Sequence, residues 1–154
     1  MPHLDPAAFY LEATQDSASA FIQRQMKGAV FMLNLLRFRK TADYSATPEL
    51  APESPISGAA AFQLYIDHTL PLLRATGGDL LFTGSGGHFL IGPPAERWDL
   101  AMLVRQHSVE SFLAFASHEV YLSGIGHRTA AIEDSRLLPL SEGLAGITEY
   151  SGSS

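Results

Sequence analysis

Tyr65 and His68 stand three residues apart in the stretch FQLYIDHTLPLL, residues 62–73. On a helix, residues three apart are neighbours. An imidazole titrates near neutral pH, and beside a phenol it suits general acid–base work. The two are therefore the candidate catalytic pair. The same spacing also fits a packed tyrosine beside a half-exposed histidine that satisfies a backbone group. Asn34 is the one polar interruption in AVFMLNLLRFR, residues 29–39, before Arg37 closes the run. A buried amide needs partners, so Asn34 either ties down a loop or faces a cavity. Arg128, Asp134 and Arg136 share one parity in the segment expected to form the last strand. An Arg–Asp network there either binds a carboxylate through the guanidinium fork or forms a structural ladder at a dimer interface. Asn34, Arg37 and Arg128 are thus the candidate ligand-binding residues.

Other chemistries find less support. The six histidines are His3, His68, His88, His107, His118 and His127, and no pair has HxH, HxxxH or HExxH spacing. With no cysteine in the chain, thiolate metal sites, iron–sulfur clusters, disulfides and cysteine nucleophiles are excluded. Neither a metal nor another cofactor is expected, and no proximal histidine signature for haem is evident. Gly84-Ser85-Gly86-Gly87 lacks the GK[ST] of a phosphate loop and reads as a strand bulge or turn. No GxSxG nucleophile elbow occurs.

The elements that must position these residues can be read from periodicity. Residues 29–39 form the central strand, apolar on both parities, so both faces need cover. Before it, SASAFIQRQM predicts a short amphipathic helix on the domain edge, capped by Asp16 or Ser17 and stopped by Gly28. Residues 40–57 hold Pro48, Pro52 and Pro55 and form an irregular connection: an exposed loop, a dimer-clasping arm or a lid. Residues 57–76 form the main helix, capped by Ser57, with Phe62, Ile66, Leu70 and Leu73 as its buried stripe and a kink or broken last turn at Pro71. That rotation places positions 65, 68 and 72 at a border of the stripe, where a cleft would open, with Asn34 or Arg128 across from Tyr65 and His68. DLLFTGS, residues 79–85, is the second strand, with residues 88–92 as a bent continuation or a hairpin. RWDLAMLVRQ, residues 97–106, is the third. Ser108 caps a helix over VESFLAFAS, residues 121–127 are a glycine-containing connection, and residues 128–140 form the fourth strand. The tail, residues 141–154, adds a weak edge strand over 146–150 or stays loose.

The order is β-α-β-β-α-β after an N-terminal helix. It predicts an α+β, ferredoxin-like fold: a four-stranded antiparallel sheet with two helices on one face. The length of 154 residues fits a single domain over 1–154, with an extension at 1–27, a core at 28–140 and the tail. The helix-free apolar face calls for a partner, and a twofold dimer stacking sheet on sheet supplies one. A charged fraction of only 17% agrees with an extra buried surface. The net charge of −6 argues against nucleic acid. No stretch approaches a membrane span. The first residues, MPHLDPAAFYLEA, lack a basic start and an apolar signal-length run, so a cytoplasmic location is expected.

The segments VFMLNLLRF (30–38), GGDLLFTGSGG (77–87), WDLAMLVRQHSVESFLAF (98–115) and HRTAAIEDSRLLP (127–139) resemble the dimeric α/β-barrel superfamily, in its branch of small bacterial proteins of uncharacterised function. The resemblance implies a homodimer with a site in the cleft between sheet and helices. Members of the wider superfamily include cofactor-free monooxygenases, haem-dependent enzymes, lactone isomerases and ligand-sensing domains. Three functions fit: a metal-free enzyme acting on a small organic molecule, a non-catalytic small-ligand-binding module, and a purely structural dimer.

Overall fold

The computed structural model describes residues 9–143. Its sheet has four strands, β1 (Val30–Phe38), β2 (Asp79–His88), β3 (Arg97–Gln106) and β4 (Ile132–Ser141). They lie in the order β2-β3-β1-β4, and every neighbouring pair is antiparallel. The apolar run with Asn34 inside it is thus a central strand. Asn34 pairs with Met102 on one side and Leu137 on the other. The glycines of 84–87 do not turn the chain: β2 continues through them to His88. Gly86 lies so close to the Trp98 carbonyl that a Cβ there would overlap it.

Among the described residues, four α-helices accompany the sheet. α1 (Gln15–Gln23) is capped two or three residues earlier than the sequence suggests, by Thr14 rather than Asp16 or Ser17. Thr14 Oγ1 accepts from the Ser17 amide at 3.0 Å, and the Thr14 amide donates to Ser17 Oγ at 2.9 Å, a reciprocal capping box. α2 (Gly58–Ala75) starts at Ser57, whose hydroxyl accepts from the Ala60 amide at 3.0 Å. It runs unbroken through Pro71. Asp67, whose carbonyl loses its helical donor to the proline ring, is exposed. α3 (Val109–Ala116) is capped by Ser108 as expected.

The largest departure is α4 (Glu119–Ala131), capped by His118. The expected connection over 121–127 is helical, and β4 begins only at Ile132. Gly124 and Gly126, which read as breakers, are both buried in this helix. They are small because the helix is crowded: a Cβ at Gly126 would stand 2.5 Å from Thr47 Oγ1 and 2.7 Å from Leu50 Cδ1. Arg128 is therefore a residue of α4, not of the last strand. Thr47 and Leu50 belong to the proline-rich connection, which contains a single short turn of 3-10 helix at Pro48–Leu50. This connection packs on α4 instead of standing free. The Asp43 amide donates to the Ala130 carbonyl at 2.9 Å, and Tyr44 is buried with its hydroxyl 2.7 Å from His127 Nδ1.

This topology is ferredoxin-like, with α3 and α4 together replacing the second crossover helix. Val30, Met32 and Leu36 on one face of β1 are buried with Phe62, Met102 and Ile132. The other face carries Phe31, Leu33 and Leu35, beside Leu103 and Leu138 in register. Phe82, paired with Leu103, is 63% exposed, and Leu138 is 53% exposed. No helix of the structure is long and apolar enough to cross a membrane among the described residues. The weak edge strand expected over 146–150 lies outside them.

Candidate functional site

A cavity of about 870 Å³ lies between the Met32/Asn34 face of the sheet and the helices. All four helices contribute to it. α1, expected at the domain edge, instead lies over the cavity, and its Arg24 Nη1 donates to the Pro139 carbonyl of β4 at 2.8 Å. Phe21 of α1 meets Phe112 of α3 edge to face, ring centres 5.7 Å apart. The sheet supplies Met32, Leu80, Met102 and Val104, and α2 supplies Ile66, Leu70 and Leu73. The walls are thus mostly apolar, with polar groups at a few places, as small-molecule sites are.

Tyr65, Asn34 and Arg128 are on the cavity wall. Tyr65 donates to the Tyr121 hydroxyl at 3.2 Å, from α2 to α4. Burial holds the Tyr65 phenol well above its ordinary range, Tyr121 acts in the same direction, and the Arg128 cation opposes them. The Asn34 Nδ2 donates to the carbonyl of Met32, two residues back on its own strand, at 3.1 Å. Arg128 Nη1 donates to the Leu11 carbonyl at 2.7 Å. Leu11 lies on the segment that crosses the edge of β4, where the Tyr10 amide donates to Asp134 Oδ1 at 2.8 Å.

His68 and Arg37 are not on the wall. The expected border of the α2 stripe is filled by α4, an element the sequence reading did not contain. His68 Nε2 lies 2.6 Å from the Val120 carbonyl and 3.2 Å from Ser123 Oγ, so the ring satisfies a backbone group between two helices. Arg37 is 3.0 Å from Glu133 and 3.7 Å from Asp134. Arg136 joins the same cluster at 2.7 Å from Asp134. The Arg–Asp network thus forms without Arg128. The Arg136 guanidinium lies between the Tyr10 and Trp98 rings, 4.9 and 4.8 Å from their centres.

Sequence reasoning did not find Tyr121, Thr69 or Gln106. Thr69 and Gln106 line the cavity, are 6% and 2% exposed, and have Thr69 Oγ1 and Gln106 Oε1 buried with no hydrogen-bond partner among the described residues. A buried polar atom left unpaired is costly and calls for an explanation. Thr69 stands one turn after Tyr65, and a threonine amid the apolar stripe of α2 is the signal available in the sequence. Among the described residues no group of three His, Asp or Glu side chains is placed to hold a metal ion.

The chain is similar to a solved structure of a Rhodopseudomonas palustris protein of unknown function. The two are 30% identical over 88% of this chain and 98% of that one, with a TM-score of 0.73. The methylated form of the same protein matches at 30% identity over 90% of this chain and 98% of that one, with a TM-score of 0.76. This chain belongs to the family of that protein. A dimeric protein of unknown function and ferredoxin-like fold from Bacteroides fragilis matches more loosely, 12% identical over 76% of this chain and 99% of that one, with a TM-score of 0.46. No family model matches the sequence, and no curated protein does. The family shares the fold almost end to end and indicates no specific function, so the function has to be argued from the cavity.

Proposed function

We propose that the protein binds a small, largely apolar organic molecule in the cavity between sheet and helices, and does so as a cytoplasmic homodimer. The cavity itself carries the reading: about 870 Å³ of space in a chain of this size, walled by Met, Leu, Ile and Phe side chains with a few converging polar groups. A purely structural dimer would have that volume filled. The dimer is supported by the apolar face of β1 and its neighbours that no described helix covers. A thermal-shift screen against small organic acids, alcohols and amides tests binding. A ligand at a hundred times its Kd adds about 2.7 kcal/mol of apparent stability. No shift with any compound, together with a filled cavity in a crystal structure, would end the proposal.

A catalytic version has one observation in its favour, the hydrogen-bonded Tyr65–Tyr121 pair on the wall. A phenol keeps its proton at neutral pH in any case, and burial raises the Tyr65 pKa further. Its single O–H is given to Tyr121, so the Tyr121 O–H is the one left to donate to a developing oxyanion, and neither phenol abstracts a proton. In this version Tyr121, held by Tyr65, is the stabilising donor, and His68, held against α4, makes no contact with the reacting molecule. Turnover that falls in Tyr121→Phe while ligand affinity holds would support this version, and equal turnover would remove it.

A further inference from the structure

We infer that the ligand of this cavity is an organic carboxylate with an apolar body, and that Arg128 receives its carboxylate. The inference rests on the binding function proposed above and names the class of ligand. It starts from charge. The chain holds 10 Lys and Arg against 16 Asp and Glu. Among the described residues, the charged side chains lining the cavity reverse that balance: Arg24, Arg128 and Arg136 against Glu12, with no lysine, aspartate or histidine. An anion is the ligand that such a wall favours in surroundings of low polarity.

The three arginines are not equivalent. Arg136 is committed to Asp134 at 2.7 Å. Arg24 reaches across from α1 to hold the Pro139 carbonyl at 2.8 Å. Among the described residues the Arg128 guanidinium makes one hydrogen bond, to the Leu11 carbonyl, and no carboxylate lies within ion-pair distance of it. A guanidinium has five N–H donors in a fixed fork, so the described residues leave most of its capacity unused. The matching acceptor is a carboxylate, bound through two parallel hydrogen bonds. Tyr65 and Tyr121 stand on the same wall and can add a phenol donor to it.

The shape gives the rest of the ligand. Leu11 sits beside Tyr10, whose carbonyl accepts from Ser135 Oγ at 2.5 Å, and Ser135 pairs with Leu36. Arg128, bonded to Leu11, is therefore at the Leu36 end of β1. Gln106, also on the wall, pairs with Val30 at the other end. Six residues of strand separate these ends, roughly 20 Å at about 3.3 Å per residue. Between them lie Met32, Ile66, Met102 and Val104. An extended alkyl chain or a fused aromatic system fits such walls, and a small hydrophilic acid does not.

Calorimetric titration of the full chain at neutral pH tests this with matched pairs: decanoate against decanol, and naphthoate against naphthalenemethanol. Each acid is expected to bind roughly 10-fold or more tightly than its alcohol, the ratio that a hydrogen bond to a charged group supplies. Arg128→Met should abolish that preference by weakening the acid and leaving the alcohol unchanged, while Arg128→Lys should keep part of it. A wild-type ratio near one would overturn the inference and leave the cavity as a neutral-ligand site. Binding of none of the four compounds would overturn the binding function itself. A preference that survives intact in Arg128→Met would place the carboxylate elsewhere. Should Arg128→Met fail to fold, the wild-type ratio and the Lys variant still decide, because a ratio of affinities does not depend on global stability.

Discussion

The His68 ring of α2 occupies the space where Gly124 of α4 would carry a side chain: a Cβ at Gly124 would overlap it. Two helices approach there closely enough that the Val120 carbonyl of α4 becomes the partner of an imidazole on α2. A helical glycine costs about 1 kcal/mol relative to alanine, so the sequence gives up propensity for this packing. Gly124→Ala is expected to destabilise by about 1–3 kcal/mol, the range for overpacking a tight contact, despite its gain in propensity. His68→Ala in the same background should recover part of the loss, since it removes the clashing ring. Denaturant titration of the two single variants and the double variant gives the coupling. Strictly additive effects would show that the ring and the glycine do not share this space.

What the sequence revealed and what it hid follow from this contact. The strands, α2 and α3 were legible because their apolar residues recur at period two or at helical spacing. α4 was hidden because it meets neighbours on several sides, so it has no clean polar face, and its glycines look like breakers. The error propagated to the site. Without α4, the α2 stripe puts His68 at the border of a cleft; with α4 present, that flank is a helix–helix contact. Asn34 and Tyr65 reach the cavity through elements read correctly. Arg128 reaches it from a helix rather than from the strand to which its parity had assigned it. Tyr121 was invisible for the same reason. No local pattern marks Gln106 as a wall residue, because that depends on which strand ends meet in the sheet.

Gly58 is a sharper case than Gly124. A Cβ there would meet the backbone, 2.5 Å from the Ala131 carbonyl and 2.8 Å from the Arg39 amide nitrogen. No side chain can swing aside, so α2 would have to retreat from the end of β1, where the Gly58 amide now donates to the Arg39 carbonyl at 3.0 Å. Gly58→Ala should cost about 3 kcal/mol, at the upper end of overpacking effects. A midpoint in urea close to wild type would contradict the close approach.

His127 links stability to pH. Burial lowers its pKa below the ordinary 6.5, with His68 acting in the same direction. The unfolded chain then binds more protons at this position than the folded one between the two values. Stability therefore rises with pH through that window. The contribution is complete above 6.5 and is lost as pH falls from there toward the folded value. His127→Phe should flatten this part of the stability–pH curve and also remove the ring-nitrogen partner of the Tyr44 hydroxyl, 2.7 Å away. Chemical denaturation at a series of mildly acidic pH values checks it. An unchanged slope in the variant would assign the dependence to other groups.

The face of the sheet turned away from the helices decides the oligomer. Leu33 pairs with Leu103 and Leu138 across three strands, and Phe82 continues the row on β2. A row of four large apolar side chains, two of them more than half exposed in the single chain, exceeds what scattered surface hydrophobics account for. A second copy stacked on this face by a twofold axis covers it with the same residues, on the order of 2,000 Å² in total for an obligate pair. Leu138→Lys and Phe82→Lys separate the possibilities. On a monomer both positions are exposed, and each change should stay within about 0.5 kcal/mol. Across a twofold interface each substitution instead buries two ammonium groups without partners, and the dimer should dissociate or lose several kcal/mol. Light scattering at micromolar concentration reads the mass, and circular dichroism confirms that the variants remain folded. Wild type is expected at the mass of a dimer and the double variant at that of a monomer. A wild-type monomer, or a double variant that remains dimeric with unchanged stability, would show that this face is not the interface.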